Sequence, residues 1–336
     1  MHAAQEFLSR AMADEVGQGN PASGVPGGRA EAERYRQEGV RRSHQGDHEG
    51  ALRCFDRALA LAPDLVAAHT GRGFALGKLG RYTEEIAACD DALAIDPRSV
   101  EAWISRGFAL GQLKDFAGKV RCCDEALAID PASATAWNAK GHALGMLGMY
   151  EEEAQCAAIA IELRPHFISA WMNKGYALGR LGRFREEIGC YNRVIRISPG
   201  YLGAWANKGI ALCMIGHYDD ALACFSRVHE AGPPGSRVLY WEGYARYKSG
   251  NHRGAIPCLE QALRENPRHA DAWVVMSNCY FMSGQVDESV RCFRKAFNID
   301  VEDLNVLILQ GFSQLKGGQF DEAIRSLGGV FGILKR

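Results

Sequence analysis

The sequence contains no apolar run near the roughly 18 residues that would carry a helix across a bilayer, so no membrane insertion is expected. It also lacks a charge of one sign. Its 39 basic and 40 acidic residues leave a formal net charge of −1, which gives no electrostatic case for nucleic acid or an anionic membrane surface as partner. The opening MHAAQEFLSR shows neither the charged start nor the apolar stretch of an export signal. With an odd count of eleven cysteines in 336 residues, this argues for reduced thiols and a cytoplasmic protein rather than a disulfide scaffold. Motifs of chemistry are missing too. Gly73, Gly77 and Lys78 miss the spacing of a phosphate loop, His44 and His48 straddle Gly46 at a turn, and no Ser-His-Asp or Cys-His pattern stands out. The expectation is therefore a non-enzyme with no cofactor and no metal.

What is present is repetition. AWMNKGYALGRLGRFREEIGCYNRVIRISP, ending at Pro199, echoes AWNAKGHALGMLGMYEEEAQCAAIAIELRP, ending at Pro165. A 34-residue register runs without insertion from residue 32, with units starting at 32, 66, 100, 134, 168, 202, 236, 270 and 304. Position 4 is Trp103, Trp137, Trp171, Trp205 and Trp273; position 8 is Gly in eight of nine units; position 24 is often aromatic, as in Phe55, Tyr191, Phe225 and Phe293. Apolar residues at positions 4, 8, 11 and 20, 24, 27 recur at helical spacing, which predicts two amphipathic helices per unit. Glycine at position 15, replaced only by Lys114, supplies the left-handed residue that ends the first helix, and proline at position 32 stops the second. One such hairpin cannot hide its apolar faces alone, so neighbours must complete its core.

These residues resemble the tetratricopeptide repeat, and the resemblance covers nearly the whole chain. It implies an all-α fold, a right-handed α-solenoid of stacked antiparallel helix pairs. It also implies a concave groove, lined by the first helices, that receives a peptide. Two departures stand out. Position 7, usually leucine in that family, is Arg72, Arg106, Lys140, Lys174 or Lys208, and position 20, usually alanine, is Glu85, Glu153 or Glu187. The opposite signs predict ion pairs of Arg72 with Glu85, Lys140 with Glu153 and Lys174 with Glu187. In the third unit Lys119 replaces the acid and no pair is expected. Cysteine fills position 23 in seven units, from Cys54 to Cys292. Such a column is too widely spaced for disulfides or zinc and reads as small soft packing.

On the first helices, positions 2, 5, 9 and 12 share a face, with 6 and 13 beside them. The candidate peptide-binding residues read from it are Phe74, Phe108, His142, Asn173, Tyr176, Arg180, Asn207, Arg237, Tyr240, Trp241, Tyr244 and Lys248. The seventh unit moves its tryptophan from position 4 to position 6 and so concentrates aromatics there. Glycine at position 12 (Gly77, Gly111, Gly145, Gly179) suggests space kept for a ligand backbone. The basic excess over these columns favours acidic or C-terminal carboxylate ligands. The family's clamp for chaperone tails is not matched by any three consecutive units.

Residues 1–16 read as a short amphipathic helix or extension able to dock in the groove, 17–31 as a flexible Gly/Pro linker, and 32–336 as a single array. The ninth unit has no polar cap, which suggests homodimerisation through that end. The leading expectation is a scaffold binding a partner protein's segment. The rivals are a self-assembling module using its ends, and a regulatory subunit of a separate enzyme.

Overall fold

The computed structural model describes residues 26–297, and sixteen helices with no strand occur among the described residues. The chain divides into two compact units, Met1–Ile197 and Ser198–Arg336. In the first unit the helices are α1 (Pro26–His44), α2 (His48–Leu61), α3 (Val66–Lys78), α4 (Tyr82–Ile95), α5 (Val100–Gln112), α6 (Phe116–Ile129), α7 (Ala134–Met146), α8 (Tyr150–Leu163), α9 (Ile168–Arg180) and α10 (Phe184–Ile197). In the second they are α11 (Leu202–Met214), α12 (Tyr218–His229), α13 (Ser236–Lys248), α14 (His252–Glu265), α15 (Ala270–Met282) and α16 (Val286–Phe297). The 34-residue register thus becomes one helix pair per repeat. Within each unit every helix packs on the next, and successive first helices also touch. The amphipathic segment 1–16, most of the 17–31 linker and the ninth repeat with its uncapped end lie outside the described residues.

Position 15 turns the chain as expected. Gly46, Gly80, Gly148, Gly182, Gly216, Gly250 and Gly284 all have φ between 74° and 84°, and Lys114 adopts the same conformation at 67°. Position 8 is glycine because the second helix sends its largest side chain there. A Cβ on Gly209 would stand 2.5 Å from the Phe225 ring, and one on Gly175 would stand 2.7 Å from Tyr191. Phe225 and Tyr191 are consequently among the most deeply buried side chains. Serine caps the starts of α5 and α7, where Ser99 and Ser133 accept from the Ala102 and Ala136 amides.

The position-4 tryptophan joins each repeat to the one before it. Its indole N–H donates to the carbonyl of the preceding position-32 proline: Trp103 to Pro97 at 3.0 Å, and Trp137, Trp171, Trp205 and Trp273 to Pro131, Pro165, Pro199 and Pro267 at 2.9 Å. The basic residue at position 7 lies over the same ring, as with Arg106 on Trp103 and Lys140 on Trp137. Lys174 and Lys208 cover Trp171 and Trp205 likewise.

The expected pairs of Arg72 with Glu85 and of Lys140 with Glu153 give way to pairs between repeats. Arg72 bonds Asp56 at 2.9 Å, Arg106 bonds Asp90 at 2.7 Å and Lys140 bonds Asp124 at 2.7 Å. In each case position 7 reaches position 25 of the preceding second helix, where the acid is exposed and the base partly so. Arg106, for which the sequence offered no acid, is therefore paired. The position-20 glutamates go elsewhere, and Glu85 and Glu153 are 2% exposed.

Candidate functional site

The glutamates explain the glycines at position 12. A Cβ on Gly77 would stand 2.5 Å from Glu85 Oε2, and one on Gly179 2.6 Å from Glu187 Oε2; Gly145 meets Glu153 in the same way. In the third repeat the aliphatic stem of Lys119 fills the notch, 2.9 Å from a Cβ on Gly111. The reading of these glycines as room for a ligand backbone is thus corrected: the volume belongs to the protein's own position-20 side chain. Glu85 and Glu153 each bury an Oε2 that has no hydrogen-bond partner. Burial pushes both carboxyls up to about 8, against an attraction from Arg180 at Glu153, so both are protonated near neutral pH.

On the first-helix face of the first unit, Phe74 is buried at 8% exposure with Lys78 Nζ 5.2 Å from its ring centroid. It is not an open rung. Phe108 is half-buried and His142 exposed. The Asn173 side-chain amide donates to Asn138 Oδ1 at 2.9 Å. Tyr176, 46% exposed, packs edge-on against Tyr150, a residue the sequence columns omit, at 6.4 Å and 74°. Arg180 stands over both rings, 4.6 Å from Tyr150 and 5.9 Å from Tyr176, and its Nη1 donates to Tyr176 Oη at 3.0 Å.

In the second unit, five of the six selected residues sit on α13. Leu239 takes the buried position 4, and the displaced Trp241 is half-buried with no hydrogen bond to a proline carbonyl. Tyr240, Trp241 and Tyr244 form one cluster: Trp241 is 5.3 Å from Tyr240 and 5.4 Å from Tyr244, both edge-on. His269, also outside the sequence selection, covers Tyr240 at 4.5 Å. Burial, with Asp271 nearby, pushes the Tyr240 hydroxyl up to about 12, keeping it a neutral donor. Lys248 lies over Tyr244 and Tyr247, and Arg237 donates to Asn207 Oδ1.

The position-17 tyrosines could have been found from sequence. Tyr150 and Tyr218 each precede the position-9 tyrosine of the next repeat by the same interval, and Tyr218 meets Tyr244 at 6.4 Å and 72°. The first residue of a second helix thus touches the middle of the following first helix. The cysteines are all free thiols, buried except for the half-buried Cys54 and Cys258. Burial raises their pKa values, that of Cys123 to about 12, which removes nucleophilic character. No cluster of three metal-ligating side chains occurs among the described residues, and no described helix is long and apolar enough to cross a membrane.

Comparison with known proteins agrees with this architecture. Tetratricopeptide-repeat models match residues 37–100 and 168–201, and a model described as anaphase-promoting complex, cyclosome, subunit 3 matches residues 214–296. The chain is a tetratricopeptide-repeat protein. Among solved structures, a tetratricopeptide repeat protein from Parabacteroides merdae is similar over 78% of this chain and 99% of its own, at 14% identity and TM-score 0.55. PilW, described as a widely conserved type IV pilus biogenesis factor, is similar over 62% of this chain and 96% of its own, at 22% identity and TM-score 0.57. Pseudomonas aeruginosa pilF is similar over 60% of this chain and 92% of its own, at 19% identity and TM-score 0.55. Identities this low speak to the fold. No curated protein matches the chain.

Proposed function

We propose that this chain is a non-catalytic cytoplasmic scaffold that binds a segment of a partner protein along the first-helix face. In the second unit the contact centres on Tyr240, Trp241 and Tyr244. The observation that carries the reading is the displaced tryptophan. Five other repeats spend this residue on a bond to the preceding proline carbonyl, whereas α13 packs it beside two tyrosines on a half-buried ledge. Rigid aromatics that keep part of their surface in water, next to exposed Arg237 and Lys248, have the composition of an interaction hot spot.

Capture of partners by full-length protein, compared with Trp241→Ala and Tyr244→Ala variants, tests the reading. A partner retained by the parent and lost from both variants is the expected result. Undiminished capture by both would move the contact to the ends of the array.

A further inference from the structure

Equivalent positions of the repeats are controls for one another. On the first-helix face, position 13 is exposed in every other described repeat, Arg180 and Lys248 included, yet Lys78 is half-buried. Position 9 is half-buried or exposed in every other described repeat, whereas Phe74 is buried. At position 2 the same contrast singles out Thr135, which is 2% exposed and whose Oγ1 has no hydrogen-bond partner among the described residues. All three exceptions fall in the first unit, on α3 and α7, with α5 between them and successive first helices in contact.

Stacking of the repeats does not produce this cover. The position-17 neighbour of Lys78 is His48. It is smaller than Tyr150, which stands against Arg180, or Tyr218, which meets the Tyr244 ring under Lys248. Those larger neighbours leave their cations exposed, so the smaller one does not hide Lys78. The exceptions call for a cover that the repeat itself does not supply. Its chemistry is set by what it hides: apolar surface for Phe74, a polar group for Thr135 and an acid for Lys78. Burial draws the Lys78 pKa down, and no carboxylate lies within ion-pair distance of it among the described residues.

Residues 1–16 have that chemistry. Phe7, Leu8, Ala11 and Met12 recur at helical spacing, and Glu6, Asp14 and Glu15 outnumber Arg10. They are also within reach. The first helix of the array, α1, starts at Pro26 beside α3, so residues 17–25 tether the segment with at most about 30 Å of chain. Sixteen residues make about 24 Å of helix, enough to cross three first helices set about 8–10 Å apart.

We infer that residues 1–16 lie in cis across the first-helix face of the first unit, over Phe74, Lys78 and Thr135, as an autoinhibitory strap. A partner's segment has to displace the strap before it occupies that part of the face, and its apparent affinity there is scaled down to the open fraction. This goes beyond the binding role proposed above, which centres on the second unit, and does not depend on it.

The test places the photoreactive residue p-benzoylphenylalanine at Phe7 in the full chain and mixes isotope-labelled with unlabelled protein before irradiation. Mass spectrometry then locates the insertion and shows whether the joined peptides carry the same label. Adducts on α3, α5 or α7 that join peptides of one label are expected. Pairs of mixed label would make the occupant a second copy of the chain, and adducts elsewhere, or none, would leave the face open; each of these overturns the inference. Adding Leu8→Asp and Met12→Asp should lower the adduct yield at least about tenfold with the melting temperature unchanged. A yield that does not fall overturns it as well.

Discussion

Gly77 and Glu85 share one side-chain volume: the carboxylate from α4 lies where a methyl group on α3 would project, 2.5 Å from the Cβ position. The pairing recurs along the first unit as Gly145 with Glu153 and Gly179 with Glu187, and with lysine as Gly111 with Lys119. Glycine inside a helix costs about 0.5–1 kcal/mol against alanine, and here that cost makes room for a long polar side chain. Gly77→Ala should lower stability by about 1–3 kcal/mol through overpacking. In the Glu85→Ala background the same change should be neutral or stabilising. A double-mutant cycle by urea denaturation reads the coupling directly.

The same carboxyls make stability depend on pH. Their folded pKa values lie near 8, above the ordinary 4.5, so the folded state holds protons that the unfolded state has released. The stabilisation is complete below about pH 4.5 and is lost as pH rises towards 8. Each group should contribute a slope on the order of 1 kcal/mol per pH unit across that window. Glu85→Gln with Glu153→Gln should flatten the profile, and the variant should exceed the parent most at pH 8. An unchanged slope between pH 5 and 8 would show that the buried carboxyls ionise at their ordinary value.

Lys114 holds a left-handed conformation, φ 67°, at the one described turn where the repeat lacks its glycine. Lys114→Gly should raise the unfolding free energy by about 1 kcal/mol. Thermal melts of the two proteins suffice to check it.

The tryptophans divide into two kinds. Trp137 donates to Pro131 O at 2.9 Å, so Trp137→Phe should cost about 1 kcal/mol. Trp241 lacks such a bond, and Trp241→Phe should leave the melting temperature almost unmoved while weakening partner capture. Equal stability losses in the two variants would place Trp241 among the structural tryptophans.

Much of the fold was legible because the repeat states it many times over. The register, the turn glycines and the proline stops all follow from helical period and backbone sterics. The pairs of Arg72 and Lys140 were misassigned because the columns were compared within a repeat. Arg72 instead looks back to Asp56 on the preceding second helix, a relation visible only once the stacking is known. The partnership of positions 12 and 20 was readable and missed: Gly77, Gly111, Gly145 and Gly179 accompany long charged residues, whereas Ser43, Cys213 and Tyr247 accompany Ala51, Ala221 and Ala255. Selecting the face by first-helix columns alone left out Tyr150, Tyr218 and His269, because two of them begin second helices and the third precedes a first helix.

The column of sheltered sulfurs has an experimental consequence. Seven repeats carry a cysteine at the same point of their second helix, and at the five where it is buried a thiol reagent has to wait for the hairpin to part from its neighbours before it can react. Mapping the order in which Cys122, Cys156, Cys190 and Cys224 become labelled in dilute denaturant would trace where the stack unzips first, with no probe added by engineering.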